Sequence, residues 1–314
     1  MNTKNKITVF APATVANVAV GFDLLGFALD KPGDEISVKF IDKPGLVIST
    51  ITGTGNKILP SDPEKNTAGF SALCLLRHLG IENMGIEMEI HKKMPFGSGL
   101  GSSAASAVAG VMAVNELLGT PLSKQALLGF AASGEELASG DYHVDNVAPS
   151  LLGGIIFTRN NSTLDIHSLP VPTDLVATVI YPHIEILTKD ARNILSKEIS
   201  LSKSIQQNGN LGALIIGLYN NDYDLISRSL EDVMIEPQRS KLIPHFHDVK
   251  NAAKDAGALG SSISGAGPSI FALSKGLSTA KKVGQAMQAI FTKNGIINEC
   301  FVSAINTEGC KRIL

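Results

Sequence analysis

Pro95-Phe96-Gly97-Ser98-Gly99-Leu100-Gly101-Ser102-Ser103-Ala104-Ala105-Ser106-Ala107 joins a short strand to an alanine-rich helix through three glycines and two adjacent serines. Upstream, Ile86, Met88 and Ile90 alternate with Glu87 and Glu89, the period-2 mark of a half-buried strand. Downstream, Ala104, Ala107, Val108, Val111, Met112, Val114, Leu117 and Leu118 form a broad apolar helix face that Gly119 stops. A glycine-rich turn that feeds a helix N-terminus leaves several backbone N–H groups free and aimed at one point. The helix dipole adds positive potential there, which suits a polyphosphate. The stretch reads as a nucleotide-phosphate loop over 95–105.

Two better-known loops do not fit. A Walker A loop needs Gly-Lys-Ser/Thr, and no Lys follows these glycines; a dinucleotide fingerprint needs a third Gly where Ser102 stands. For the glycines alone, a tight turn chosen for positive φ accounts for the pattern. Ser102-Ser103 tips the reading to phosphate, because one hydroxyl can cap N–H groups and the other can ligate Mg²⁺.

The 314 residues suggest about two domains, and 44% hydrophobic content supports a substantial core. A net charge of −2 and a pI near 6.4 give no reason to expect nucleic acid or an anionic membrane as partner. The first ten residues, Met1 to Phe10, lack the apolar core of a signal peptide, and no apolar run approaches bilayer-spanning length. Cys74, Cys300 and Cys310 are odd in number, widely spaced and without C-x-x-C, which fits idle thiols in a reducing cytoplasm.

Ile7–Phe10 and Glu35–Phe40 read as strands separated by a loop rich in Gly, Pro and Asp. Helices are expected at Thr67–Leu79, Gly101–Leu118 and Ser123–Ser139, and a buried strand at Gly153–Phe157. Asn160–Thr173, with two prolines, is the candidate boundary, dividing the chain into 1–165 and 166–314. Beyond it, Val176–Ile180 starts a second set: helices near 190–231 and 245–256, strands near Ser261 and Ile270, a helix near Thr279–Asn294 and a last strand at Glu299–Ile305. The pattern is α+β rather than a strict βαβ alternation. His245 and His247, two apart at a helix start, diverge and carry no metal reading.

Three segments together resemble the galactokinase, homoserine kinase, mevalonate kinase and phosphomevalonate kinase (GHMP) superfamily. They are the loop at Pro95–Ala107, the stretch Ala11-Pro12-Ala13-Thr14 through Asn17 to Gly21-Phe22-Asp23, and Gly260–Ser269 with Gly265-Ala266-Gly267. The segment from Gly140 through His143, Asp145 and Asn146 to Gly153-Gly154 is similar to the homoserine kinases in particular. One departure stands out. Val18-Ala19-Val20 occupy the place where those kinases usually carry Leu-Gly-Pro, so the turn there is expected to take its own local shape.

The resemblance implies an N-terminal ATP-binding domain resembling ribosomal protein S5, a C-terminal ferredoxin-like domain, and an active site in the cleft between them. It implies transfer of phosphate from ATP to the side-chain hydroxyl of L-homoserine, giving O-phospho-L-homoserine for threonine synthesis. The alternatives are another small-alcohol kinase of the superfamily, such as a mevalonate kinase, and a non-catalytic sensor of ATP and a ligand. The partners expected are a small-molecule substrate and a second copy of the chain in a homodimer.

For the nucleotide, the resemblance points to the 95–105 loop and to Asn66 and Thr67 beside the adenine; equally, Asn66-Thr67 fits a helix N-cap. On the 123–139 helix, Glu135 shares a face with Leu127 and Ala131, and a carboxylate on an apolar face needs a cation or a hydrogen bond. Mg²⁺ held by Glu135 and Ser103 would meet that need, with Glu136 as the alternative. For the substrate, Asp23 would take the ammonium, Arg192 and Arg239 the carboxylate, and Asn17, His143 and Asn146 the hydroxyl arm, beside Gly265. Asp145 is expected chiefly to order the loop that carries His143 and Asn146, with a general-base role left open.

Overall fold

The computed structural model describes residues 6–55, 57–140 and 142–314; Asp141 and the first five residues of the N-terminal stretch lie outside the described residues. The first unit runs β1 (Ile7–Ala16), β2 (Leu25–Phe40), β3 (Leu46–Thr52), α1 (Thr67–His78), β4 (Ile86–His91), α2 (Ser102–Leu117), α3 (Lys124–Ser139), α4 (Val147–Leu152), β5 (Ile155–Asn160) and β6 (Asp165–Leu169). The second runs β7 (Leu175–Pro182), α5 (Thr188–Asn193), α6 (Leu201–Asn220), α7 (Tyr223–Ser229), α8 (Glu236–Arg239), α9 (Phe246–Asp255), β8 (Gly260–Ile263), β9 (Ile270–Lys275), α10 (Leu277–Lys293) and β10 (Asn298–Ala304). A two-residue strand, β11 (Lys311–Arg312), then returns to the first sheet.

Alternation does what the sequence implies in β4, where Ile86, Met88 and Ile90 are buried and the residues between them are not. The first sheet orders β11-β1-β2-β4-β3, with β5 and β6 continuing from β2. Only the β3–β4 pairing in it is parallel. The second sheet is antiparallel, ordered β10-β7-β9-β8. In chain order that is 4-1-3-2, the split βαβ arrangement of a ferredoxin-like fold. The α+β class and the two-domain layout are as expected.

Helix α2 is the centre of the first unit. It is apolar on every side, as a buried helix must be, and it packs on α1, α3, β1 and β2. Gly110 lets α1 come close: a Cβ there would sit 2.3 Å from the Ala68 carbonyl oxygen. Gly119 ends the run in the left-handed region, with φ 81°.

Two boundaries differ from the expectation. The division at residue 165 falls on the first residue of β6, which pairs with β5, so the first unit extends through Leu169 and takes back Lys311–Arg312. The Gly-Pro-Asp stretch before Glu35 is strand rather than loop: β2 starts at Leu25 and pairs with β1 on both sides of a register shift between Pro12 and Thr14. One packed core runs through both units, and a second lies within the second unit between its sheet and α9 and α10. Phe27 of β2 meets Phe271 of β9 edge-on at 6.0 Å, and the Asp30 N–H donates to Ser303 Oγ at 2.7 Å. Among the described residues, no helix is long and apolar enough to cross a membrane.

Candidate active site

The loop between β4 and α2 uses its three glycines at its three left-handed positions: φ is 60° at Gly97, 77° at Gly99 and 67° at Gly101. At two of them the neighbours also forbid a side chain. A Cβ on Gly99 would meet the Ser264 carbonyl at 2.4 Å, and one on Gly101 would meet Thr14 Oγ1 at 2.2 Å. Gly101 is the N-cap of α2 and supplies no side-chain cap, so the first N–H groups of this helix stay available to an anion.

The other motifs converge on this loop through hydrogen bonds. The Thr14 N–H donates to the Leu100 carbonyl at 3.0 Å, Ser264 Oγ donates to the Gly99 carbonyl at 2.6 Å, and the Ser269 N–H donates to the Ser98 carbonyl at 3.2 Å. Thr14 Oγ1 donates to Asn146 Oδ1 at 2.7 Å, which ties in the 140–149 segment.

A cavity of about 320 Å³ lies over the loop. Phe96, Gly97, Ser98, Gly99, Gly101, Ser102 and Ser103 line it; Leu100, Ala104 and Ala105 are fully buried and pack beneath. Pro95 is half-buried behind the wall, its carbonyl accepting from Ser98 Oγ at 2.9 Å. Asn66 and Thr67 border the same cavity. Asn66 also caps α1, its side chain accepting from the Ala68 and Gly69 N–H groups at 3.0 and 3.2 Å.

At the helix start, Ser103 Oγ donates to Glu135 Oε1 at 2.9 Å. Burial pushes the Glu135 carboxyl up to about 7, with Ser103 and the charge of Lys92 opposing the shift. Glu136 is exposed, so Glu135 is the carboxylate on the cleft. Two hard oxygen donors at a phosphate site fit Mg²⁺, and among the described residues no cluster of three or more His, Cys, Asp or Glu offers a fuller protein cage. A Mg²⁺ here would complete its shell from phosphates and water.

A second cavity of about 70 Å³ adjoins the first, the two sharing Glu135, Asn146, Thr188, Gly265 and Ala266. Asn17, Asp23, His143, Asp145, Arg192 and Arg239 line the rest of it together with Ala16, so the site residues expected from sequence do come together. Arg192 grips Asp23 with both terminal nitrogens, each at 3.1 Å. Arg239 is buried; its Nε donates to the Ala191 carbonyl and its Nη1 to the Gly265 carbonyl, both at 3.0 Å. Burial and then the neighbouring Arg192 charge bring Arg239 down to about 10.

Three details refine the expected roles. Asn17 has both ends of its amide engaged: Nδ2 donates to the Gly265 carbonyl at 2.8 Å and Oδ1 accepts from the Asp23 N–H at 3.0 Å. It pins the two motifs, with a second N–H and a second lone pair of its amide left for the cavity it lines. The ring nitrogens of His143 are buried without a hydrogen-bond partner among the described residues, with Nε2 3.9 Å from Asp23. The Asp145 carboxyl takes a backbone hydrogen bond within its own loop. Burial, and then the charges of Asp23 and Glu135, raise its carboxyl to about 7. The turn without Gly-Pro is left-handed through Asn17, Val18 and Ala19, at φ 71°, 41° and 60°, all three residues buried.

Comparison with known proteins agrees with this layout. The GHMP kinases N terminal domain matches residues 66–154 and the GHMP kinases C terminal domain matches residues 204–293. A homoserine kinase of Chloroherpeton thalassium is 48% identical over 98% of this chain and 99% of its own. The chain belongs to the GHMP kinases. The crystal structure of a homoserine kinase from Cytophaga hutchinsonii aligns with this GHMP kinase at TM-score 0.97 and 56% identity, covering 100% of this chain and 99% of the other. The Methanococcus jannaschii mevalonate kinase, 15% identical with a TM-score of 0.72 over 96% of this chain and 99% of its own, shares the fold alone.

Sequence reasoning missed three residues of this GHMP kinase site. Lys92 and Asp34 form an ion pair at the floor of the larger cavity, which Lys92 lines. Thr188, the first residue of α5, lies on the seam of both cavities. Lys92 had one legible signal, a cation immediately before the phosphate loop. Asp34 and Thr188 had none.

Proposed function

We propose that this kinase transfers the γ-phosphoryl group of ATP to the side-chain hydroxyl of L-homoserine, giving O-phospho-L-homoserine for threonine synthesis. The observation that carries the reading is the charge arrangement of the smaller cavity. Asp23, part-exposed and paired with Arg192, stands with Arg239 in a space sized for a small zwitterion that opens onto the phosphate loop. An α-amino acid offers an ammonium to Asp23 and a carboxylate to the arginines. A mevalonate-like hydroxy acid brings no ammonium to Asp23, which then stays paired with Arg192, the guanidinium that the substrate's carboxylate also needs.

Phosphoryl transfer passes through a loose transition state, so the protein's work is positioning and charge stabilisation. The N–H groups at the start of α2 and the 97–103 loop hold the phosphates. Ser103 and Glu135 would hold Mg²⁺, which when bound neutralises charge on the phosphate oxygens. His143 and the amide of Asn146 orient the hydroxyl arm. Asp145 serves as general base: it lines the smaller cavity beside His143 and Asn146, and a buried carboxyl poised near neutrality suits that task. The same set argues against a non-catalytic sensor, which would have no use for Asp145.

Exposed Leu201, Ile205, Ile216 and Tyr219 fall on one stripe of α6 and support a homodimer. The free thiols of Cys74, Cys300 and Cys310 support a reducing cytoplasm. A coupled ADP-release assay across homoserine, mevalonate, galactose and shikimate tests the proposal. Turnover is expected with homoserine. Preference for mevalonate would overturn the substrate, and ATP binding without turnover on any of the four would favour the sensor.

A further inference from the structure

The loop that delivers Asp23 also places an aromatic ring against both arginines. Arg192 Cζ lies 5.5 Å from the centroid of the Phe22 ring, and Arg239 Cζ lies 4.9 Å from it. Both distances are within the range at which a guanidinium is attracted to a π face. The two arginines come from different elements, α5 and α8, and their like charges repel where they converge. Asp23 bonds Arg192 directly, through the bidentate pair, and attracts Arg239 through charge without a hydrogen bond. Arg239 is held by two neutral carbonyls.

Phe22 itself is held from both sides along the chain. The Gly21 N–H donates to the Asn17 carbonyl at 2.8 Å, the Asp23 N–H donates to Asn17 Oδ1 at 3.0 Å, and the Leu24 N–H donates to the Gly21 carbonyl at 2.9 Å. The backbone that carries the ring is therefore held in place, and the half-buried ring lies against the two guanidinium groups that the substrate's carboxylate needs.

We propose that Phe22 is a positioning residue for substrate carboxylate recognition, its ring holding the Arg192 and Arg239 guanidinium groups together against their mutual repulsion. The inference rests on the reading of the smaller cavity as an amino-acid site. When the carboxylate arrives, the arginines are already gathered, so less ordering is left to the binding step. The ammonium and hydroxyl ends of the substrate do not depend on the ring.

The test compares Phe22→Leu and Phe22→Met, which keep apolar bulk and lose the π face, with Phe22→Tyr, which keeps it. For each, KM is measured for homoserine and for ATP. Inhibition constants are measured for 4-hydroxybutanoate, which lacks the ammonium, and for 3-amino-1-propanol, which lacks the carboxylate. The expected result is a rise of about tenfold in homoserine KM and in the 4-hydroxybutanoate constant for Leu and Met. ATP KM and the 3-amino-1-propanol constant stay near wild type, and Tyr restores the wild-type pattern. A parallel rise for 3-amino-1-propanol would overturn the proposal, since Phe22 would then act through Asp23. So would unchanged homoserine KM in whichever of the Leu and Met variants folds, as judged by its Tm. Failure of the substrate reading is separately visible, because the wild-type enzyme would then not phosphorylate homoserine.

Discussion

Asp34 and Lys92 form an ion pair beneath the phosphate loop, with side-chain exposures of 0% and 2%. Asp34 also accepts from the Lys93 and Met94 N–H groups at 2.7 and 3.2 Å and from Ser102 Oγ at 3.4 Å, so one carboxylate fastens the loop at its start and at its end. Lys92 adds bonds to the Ser102 carbonyl at 2.8 Å and to Ser106 Oγ at 2.7 Å. Burial pushes the Lys92 ammonium below its ordinary range, with the Asp34 charge opposing that shift.

Asp34→Asn should therefore do more harm than its small change in shape suggests. It keeps an acceptor for the backbone N–H groups but leaves a buried ammonium without its counter-charge, a loss of roughly 3–5 kcal/mol. The expected outcome is a lower Tm together with a raised KM for ATP. The double variant Asp34→Asn/Lys92→Met should recover much of the Tm and none of the ATP affinity. Additive Tm losses in the double variant would show that the pair is not coupled.

The metal assignment predicts a magnesium signature. Glu135→Gln and Ser103→Ala each remove or weaken a hard oxygen donor, so the free Mg²⁺ needed for half-maximal rate should rise about 10- to 100-fold. Excess Mg²⁺ should restore part of the rate. A Mg²⁺ titration of initial velocity checks this, and wild-type behaviour of Glu135→Gln at low Mg²⁺ would move the role elsewhere.

The phosphate loop was legible because three glycines, a period-2 strand and an apolar helix occupy adjacent sequence, where each constrains the next. Asp34 was not, because it meets Lys92 across 58 residues through the antiparallel pairing of β2 and β4, in which Glu35 faces His91. Its own neighbourhood, Lys31-Pro32-Gly33, reads as a loop, since only the partners β1 and β5 reveal that Leu25–Asp34 is strand. The two-residue β11 is likewise fixed by β1 and not by its own composition. Glu135 could be aimed correctly from helical spacing. The structural half of Asn17 could not be seen: only its contacts with Gly265 and the Asp23 N–H reveal that it also pins two motifs together.

The two arginines should respond differently to truncation. Arg192 is 32% exposed at its side chain and pairs with Asp23 in the smaller cavity, so Arg192→Leu removes a cation from the substrate's side of the cleft. Its expected effect is a rise in homoserine KM worth about 1.5–3 kcal/mol, the scale of a lost charge-assisted bond, with ATP KM unchanged. Arg239→Leu would also strand the Ala191 and Gly265 carbonyls, so its Tm should fall as well. Steady-state kinetics with both substrates, paired with thermal melts, separates the two. An equal loss for homoserine and ATP in Arg192→Leu would assign that residue to the nucleotide.

Asp145 ties catalysis to stability through one proton. Its folded-state value of about 7 lies above the ordinary 3.8, chiefly through burial and then through the charges of Asp23 and Glu135. A base must be ionised to work, so kcat should rise with pH through about 7 in the wild type. Asp145→Asn should lose this limb and about 10²–10⁴-fold in rate, the usual contribution of a general base. A loose transition state bonds the nucleophile late, which places the loss toward the lower end of that range. The stability effect has the opposite sign. Below about pH 4 the carboxyl is neutral folded or unfolded and contributes no penalty. Between about 4 and 7 the unfolded chain releases the proton while the folded chain keeps it, so wild-type stability falls as pH rises, and the penalty is constant above about 7. Asp145→Asn carries no such charge. Its Tm should exceed that of the wild type at pH 8, with the advantage shrinking toward zero at pH 4. A variant that is slower and yet more stable at pH 8 marks a carboxylate kept for its chemistry. A variant less stable than wild type across the whole range would return Asp145 to the role of ordering its loop.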